Sequence, residues 1–483
     1  MFSPILRRLA AALLLCGLQA ASQAAQPEVR GTWLTTTGNQ ALATPADSAE
    51  SMRRLRAIGL NTVYVESWKN GYTQFPSLVL ERTIGRRQRP SSMEQDPSDS
   101  AAQRAAPARD LVEETLIEAH RNGLVYISWF EYGFMAAYKD TMNDLRRQKP
   151  EWLSRDIRGG EVAPNGFVWL NPLHPEARRF LLDLVLEAVD RYDLDGVQLD
   201  DRIVWPYVTM GYDDYTQQAY AAEHEGRRPP ADHLDPEWMR WRAAKVDEFS
   251  RQFVREVRAR RPGLVISLSP GIHPWAWDNY LLDWPRWSGW PAAGGARWDE
   301  FIPQAYRTSY AAFEKTWLDQ VAAVRKDGAD RQRDLLAGIR IVGDGPDSSW
   351  DQLRGSIELA RRQGNGGHVL WFSRGVLDLY PSELTAFYRA SGAAHSPHFP
   401  EGWRRPSVRL LRSGQARGGS QRWTVPNLPP GRYRAIGHDG SRWHYLDALA
   451  PSARALRVDA RFQQVEALLD RRADMMRLQR PQK

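Results

Sequence analysis

The chain has 483 residues, 42% of them hydrophobic and 25% charged, with a formal net charge of +7. That is ordinary globular composition, so disordered and fibrous classes are excluded and the length suits two or more domains. Twenty tryptophans and 17 tyrosines exceed what a core of this size requires, and flat aromatic faces are what sugar rings stack on, although many of these rings belong to the core.

The chain begins with Arg7 and Arg8, the apolar run Leu9 to Leu18, and Ala20-Ala21-Ser22-Gln23-Ala24-Ala25. This reads as a secretory signal peptide over residues 1–25, too short for a membrane span, so a periplasmic or secreted protein is expected. Nucleic acid is not an expected partner for an exported chain. Cys16, the only cysteine, follows Leu15, where lipid-attachment signals carry a small residue, which argues against a lipid anchor. Without Cys16 the mature chain has neither disulfides nor cysteine-metal sites.

From Val29 onward, apolar runs alternate with amphipathic stretches. The expected strands are Val29 to Thr35, Thr62 to Ser67, Val125 to Glu131, Gly196 to Asp201, Val265 to Ser269, Phe301 to Tyr306, Leu335 to Ile341 and Gly367 to Ser373. Between them fall helices over Ser48 to Ile58, Asp110 to Asn122, Pro175 to Tyr192, Glu237 to Arg260, Ala311 to Arg325 and Trp350 to Arg362. A polar, Pro- and Ser-rich loop around Arg86 to Ala106 and a small extra strand at Phe167 to Leu170 interrupt the order. Eight such units predict an α/β fold, a (β/α)8 TIM barrel over residues 26–396 with enlarged loops.

In that fold the active site lies at the C-terminal ends of the strands. Glu66 and Trp68 end strand two, Trp129, Glu131 and Tyr132 strand three, and Asp200 and Asp201 strand four. His273 and Trp275 follow strand five, Gln304, Tyr306 and Arg307 sit on strand six, and Trp371 on strand eight. Carboxylates beside ring-stacking platforms are glycosidase equipment, since one carboxyl must protonate the leaving oxygen and another group must stabilise or capture the anomeric carbon. Period-two alternation puts Gln198 and Asp200 on one face of strand four, pointing inward toward Gln304 and Tyr306, with Asp201 at the rim. Asp200, Asp201 and Glu131 are the catalytic candidates. A structural role, such as orienting Arg202 or pairing with a basic side chain, is the alternative for each.

The runs Arg30-Gly31-Thr32-Trp33-Leu34, Asn61-Thr62-Val63-Tyr64 through Trp68, Gly71 and Phe75-Pro76-Ser77, then Trp169-Leu170-Asn171-Pro172, His174-Pro175-Glu176-Ala177-Arg178 and Asp195-Gly196 through Asp200-Asp201 resemble the glycosyl hydrolase-like 10 family. That resemblance covers residues 28 to 390. It implies exported bacterial (β/α)8 proteins, some of them lipoproteins, including enzymes that cleave peptidoglycan glycan strands stripped of stem peptides. It also adds Trp33 to the expected substrate contacts, beside Glu66, Trp68, Trp129, Tyr132, His273, Trp275, Gln304, Tyr306, Arg307 and Trp371. The pattern Asp195-Gly196-x-Gln198-x-Asp200 is similar to the start of the strand-four motif of family 18 chitinases, whose nucleophile is the substrate's own acetamido group. Arg202 stands where those enzymes have their acid glutamate, so the proton donor here would be Asp201 or Glu131, with Gln304 and Tyr306 holding the acetamido group.

Other chemistries find no support. Ser267-Leu268-Ser269-Pro270-Gly271 lacks the glycine frame of a nucleophile elbow. No phosphate loop or dinucleotide fingerprint occurs, and His120, His174, His273 and His368 lack metal-ligand spacing, so no cofactor and no metal is expected. Asp213-Asp214 reads as a solvated loop rather than a cation site.

Residues 397–483 form the last expected unit, a small all-β module with strands at Trp423 to Val425, Arg432 to Ile436, Arg442 to Leu446 and Ala455 to Val458. From Phe399 onward it carries 17 Lys and Arg against 7 Asp and Glu, which leaves residues 26–398 at about −5. An anionic envelope glycan is its expected partner, a solvated basic face the alternative. The whole reads as an exported glycoside hydrolase of an amino-sugar envelope glycan, peptidoglycan first and an exopolysaccharide next. The rival from another class is a catalytically inactive glycan-binding scaffold.

Overall fold

The structure is a computed structural model that describes residues 25–90, 109–291, 296–327, 329–414 and 418–478. The expected signal peptide with Cys16, and most of the expected Pro- and Ser-rich loop, lie outside these residues.

Eight parallel strands form one curled sheet: β1 (Val29–Leu34), β2 (Thr62–Glu66), β3 (Val125–Phe130), β4 (Gly196–Leu199), β5 (Val265–Leu268), β6 (Glu300–Phe301), β7 (Ala337–Arg340) and β8 (Gly367–Trp371). Each lies beside its sequence neighbour, and β8 pairs with β1. The open edge between β6 and β7 is closed by parallel bridges at Phe301–Leu335 and Gln304–Gly338, so the sheet is a barrel of the TIM type. Gly338 permits this closure because a Cβ there would come within 2.6 Å of the Pro303 carbonyl oxygen.

All eight strands end one or more residues before the expected limit, and two of these early ends shape the site. The sixth was expected through Tyr306, but its ladder stops at Phe301, because Pro303 has no N–H to donate. The fourth stops at Leu199, leaving Asp200 and Asp201 in the turn that follows, free of ladder geometry.

The main helices are α1 (Pro45–Ile58), α2 (Leu111–Arg121), α3 (Pro175–Arg191), α4 (Pro236–Arg260), α5 (Tyr310–Asp327), α6 (Trp350–Arg362) and α7 (Pro381–Ala390). Their ends follow capping chemistry. Thr44 and Asp47 form a reciprocal capping box on α1, Gly59 closes it at φ 113°, and Asp110 and Asp235 cap α2 and α4. Asp213 accepts from the Thr216 amide as the cap of a further helix, Asp214–Glu223, which accounts for that acidic pair. Among the described residues, no helix is long and apolar enough to cross a membrane.

The base of the barrel is held by the segment after the last barrel helix. His398 bonds Glu300 inside the barrel at 2.7 Å, and the Tyr64 hydroxyl donates to the same carboxylate at 2.8 Å. Trp403 and Arg404 reach Asp195, which also bonds His120 Nε2 and accepts from the Tyr126 amide. Arg404 pairs with Asp193 as well. Asp195, at the start of β4, is thus a tie between the barrel base and the C-terminal segment.

Beyond it, strands β9 (Ser420–Thr424), β10 (Tyr433–His438), β11 (Trp443–Leu449), β12 (Ala455–Asp459) and β13 (Gln464–Leu469), with the two-residue strands Val408–Arg409 beside β13 and Leu411–Arg412 beside β9, build a four-stranded and a three-stranded antiparallel sheet. Leu410, Trp423, Tyr433 and Val465 belong to a core of their own, while Ile436, Trp443 and Leu468 pack on Ile117 of α2. Arg121 of α2 completes the contact, bonding Glu466 at 2.8 Å and lying 4.0 Å over the Trp443 ring.

Candidate active site

The barrel mouth gathers four carboxyls and two cations. Asp200 enters first because β4 aims it inward: its Oδ1 accepts from Gln304 Nε2 at 2.6 Å and its Oδ2 from Arg202 Nη1 at 2.6 Å. Arg202 Nη1 also stands 3.4 Å from Asp201 and 3.7 Å from Glu131. One guanidinium therefore serves three carboxyls, two of which it reaches only at ion-pair distance.

On the far side of Glu131 lies Lys69, 3.6 Å from its Oε2 and 3.4 Å from Glu66. Lys69 follows β2 in a short hairpin, Trp68–Lys69 with Tyr72–Thr73, that turns its stem into the mouth. Glu66 is saturated. It accepts from Thr35 Oγ1, from the Thr36 amide and hydroxyl, and from Gln74 Nε2, all between 2.6 and 3.1 Å. By contrast, Glu131 Oε2 and Asp201 Oδ1 are shielded from solvent and accept no hydrogen bond among the described residues.

These differences set the proton affinities. Burial opposes ionisation of Glu66, yet Lys69 and the Thr36 and Thr35 hydrogen bonds overcome it and hold the carboxyl below its ordinary range. Glu131 goes the other way. Burial, reinforced by the Glu66 carboxylate and opposed by Lys69 and Arg202, pushes it up to about 7. Burial and then Asp201 raise Asp200 well above the aspartate range, against the pull of Arg202. Burial and the Asp200 and Asp201 charges likewise keep Tyr306 firmly protonated. The cluster has more carboxyls than cations to balance them, so protons are retained on it near neutrality.

Beneath this layer is an aromatic floor. Trp33 lies 5.9 Å from Trp371, 6.4 Å from Tyr306 and 6.5 Å from Trp129, and Tyr306 stacks on Trp371 at 5.7 Å. The Trp33 indole donates to Gln198 Oε1 at 2.7 Å, and Gln198 passes the bond to Ser267, which locks the floor to β4 and β5. Trp129 Nε1 is buried without a hydrogen-bond partner among the described residues, a donor left available at the mouth.

Not every residue expected here arrives. Trp68 is fully buried, its indole bound to the Gly133 carbonyl and its ring packed 5.7 Å from Phe180 of α3, so it props the scaffold from outside the mouth. His273 pairs with Asp283 at 3.9 Å, its backbone clasped by Gln320. Arg307 folds back onto the Tyr306 carbonyl. Two others do lie along the cleft: Tyr132 packs against Arg202 at 5.8 Å, and Trp275, 45% exposed in the short helix Trp275–Tyr280 after β5, packs on Tyr280 at 5.2 Å. Sequence reasoning missed Lys69 altogether and took Arg202 as a departure from a motif or as a partner that a structural carboxylate would orient, not as the cation shared by three carboxyls. The available signal was a basic residue just past the end of strands two and four, Lys69 after Glu66 and Arg202 after Asp201.

Comparison with known proteins agrees with this picture. The family model described as glycosyl hydrolase-like 10 matches residues 28–342. The chain is 27% identical over 166 residues to the glycosyl hydrolase YngK of Bacillus subtilis, covering 34% of this chain and 30% of that protein. It is 24% identical over 326 residues to the glycosyl hydrolase DigH of Escherichia coli, covering 62% of this chain and 65% of that one. The chain thus spans less than two thirds of the length of either relative. Among solved structures, it is similar in fold to the PgaB (BpsB) glycoside hydrolase domain from Bordetella bronchiseptica, with a TM-score of 0.53 and 13% identity over 76% of this chain and 99% of that one. It is also similar to the catalytic domain of a β-amylase from Paenibacillus polymyxa, with a TM-score of 0.51 and 10% identity over 76% and 98% of the two chains.

Proposed function

Because the chain belongs to the glycosyl hydrolase-like 10 family and is a glycoside hydrolase by family and by fold, we propose that it cleaves an amino-sugar glycan of the bacterial envelope, peptidoglycan strands without stem peptides being the first substrate. The observation that carries this reading is the pairing at the mouth of a carboxyl raised to about 7, Glu131, with a second buried carboxyl, Asp200, held by Gln304 and Arg202. Glu131 is the proton donor to the leaving oxygen, since it keeps its proton near neutrality and has an oxygen without a hydrogen-bond partner. Asp200, with its proton affinity raised, bonds the 2-acetamido group beside Gln304 and Tyr306, and the excess of carboxyls over cations in the cluster supports the positive charge that develops around the anomeric carbon. Arg202 fixes Asp200, and Asp201 stands at the solvent edge, its side chain 26% exposed.

The leader from Arg7 to Ala25 supports a periplasmic or secreted location for this activity. The basic C-terminal module supports an anionic envelope glycan as a second contact. On its three-stranded sheet Arg422 and Arg457 are exposed and directly opposite each other, an arrangement that an anionic ligand relieves.

The test is turnover. Amidase-treated peptidoglycan incubated with the wild type is expected to yield new reducing ends by mass spectrometry, and Asp200→Asn to yield at least ~10³-fold less per unit time. Equal rates on N-acetylated and de-N-acetylated strands would refute the acetamido role, and products from neither strand would refute the substrate.

A further inference from the structure

A second run of rings leads away from the acidic cluster along the loops that follow β3, β4 and β5. It starts at Tyr280, whose hydroxyl is pushed up to about 12 by burial and by the nearby Asp201 charge, with Asn165 donating to it at 2.9 Å. The Tyr280 ring is the hub: Trp275 packs on it at 5.2 Å, Tyr207 at 5.3 Å and Trp169 at 6.0 Å. Trp275 stands out because it is the large ring of this run left 45% exposed, with no part in the core, and it packs on the Tyr280 ring whose hydroxyl feels the Asp201 charge. Its position is built: the first turn of the helix Trp275–Tyr280 carries it, and Gly271 lies against its six-membered ring, where a Cβ would come within 3.1 Å.

We propose that Trp275, backed by Tyr280, is a distal sugar platform that stacks a pyranose ring of the glycan on the Asp201 side of the cleavage point, opposite the floor made by Trp371 and Tyr306. The proposal rests on the glycoside hydrolase reading above and deepens it: the substrate is a chain long enough to lie across both aromatic surfaces, with the acidic cluster between them. Three features favour a sugar over a protein or a lipid. The platform is a single exposed ring rather than an apolar patch. It is flanked by hydrogen-bonding groups suited to hydroxyls, Asn165 and the Tyr280 and Tyr207 phenols. It is also continuous with the catalytic mouth through the Tyr280–Asp201 proximity.

The experiment compares chain lengths. kcat/KM is measured for a hexamer and a dimer within one series, either denuded peptidoglycan oligomers or cello-oligosaccharides, whichever the wild type cleaves. Trp275→Ala is expected to lower the hexamer-to-dimer ratio of kcat/KM about tenfold, through KM, and Trp275→Phe to restore most of it. A ratio unchanged by Trp275→Ala overturns the platform, as does an equal loss on both lengths, which would mark a merely structural residue. The substrate reading fails separately. If the wild type prefers the cello-oligosaccharides, the amino-sugar assignment is wrong while the length ratio still reports on Trp275.

Discussion

Glu131→Gln separates chemistry from stability at the site more cleanly than any other change. In the folded protein Glu131 holds its proton up to about pH 7, against an ordinary value of 4.5. A carboxyl raised in this way binds its proton more tightly folded than unfolded, so its contribution favours folding below pH 4.5 and is lost as pH rises from 4.5 through 7. A shift of that size corresponds to about 3 kcal/mol at pH 8. Glutamine has the shape of the protonated acid and carries no charge to bury. The variant is therefore expected to match the wild type in urea unfolding at pH 4.5 and to exceed it by ~3 kcal/mol at pH 8, while kcat falls about 10²–10⁴-fold with the proton donor gone. The basic limb of the pH–rate profile, near 7 in the wild type, disappears with it. A variant less stable than the wild type at pH 8 refutes the raised proton affinity, and full activity in the variant refutes the donor role.

Lys69→Met removes a cation that opposes the proton on Glu131, so the basic limb is expected to move up by about one unit or more, read from kcat/KM against pH. Arg404→Met strands Asp193 and Asp195, both buried, and is expected to cost about 3–5 kcal/mol in chemical denaturation at pH 7, with no pH shift in the kinetics because the base of the barrel is remote from its mouth. Replacing both Arg422 and Arg457 by Ser is expected to weaken retention on an anionic polysaccharide column while leaving stability unchanged or up by ~0.2–1 kcal/mol, since two like charges no longer oppose each other across the sheet.

The barrel was legible because its signals are local. Period-two and period-3.6 patterns, Asp110 as a cap and Gly59 as a stop are properties of short windows, and the eight strands fall within a few residues of where those patterns put them. Strand six misled because Phe301 to Tyr306 keeps its alternation past a proline; the hydrogen-bond ladder, which the side-chain pattern does not report, ends two residues before Pro303. β13 was not foreseen. Gln464–Leu469 is shielded at five consecutive positions because its sheet packs on α2 on one side and on its own core on the other, so no alternation remains to be read.

The site was legible only as far as alternation reaches. Placing Gln198 and Asp200 on one face put Asp200 toward Gln304, and the two groups meet at 2.6 Å. What alternation cannot carry is charge balance, which depends on side chains brought in by loops. Lys69 arrives through a two-residue hairpin, and Thr35, Thr36 and Gln74 saturate Glu66 so completely that the carboxyl which looked like a sugar ligand is instead the fixed charge that raises its neighbour. Arg202 makes the same point from the other side. Where a related pattern has its acid, this chain has a cation bonded to Asp200 and within 3.7 Å of Glu131. Putting a positive charge there removes a proton donor from strand four and makes it necessary to keep one elsewhere. Glu131, the carboxyl with burial and Glu66 pushing its proton affinity up and with one oxygen unbonded, is the group in the described mouth that meets that requirement.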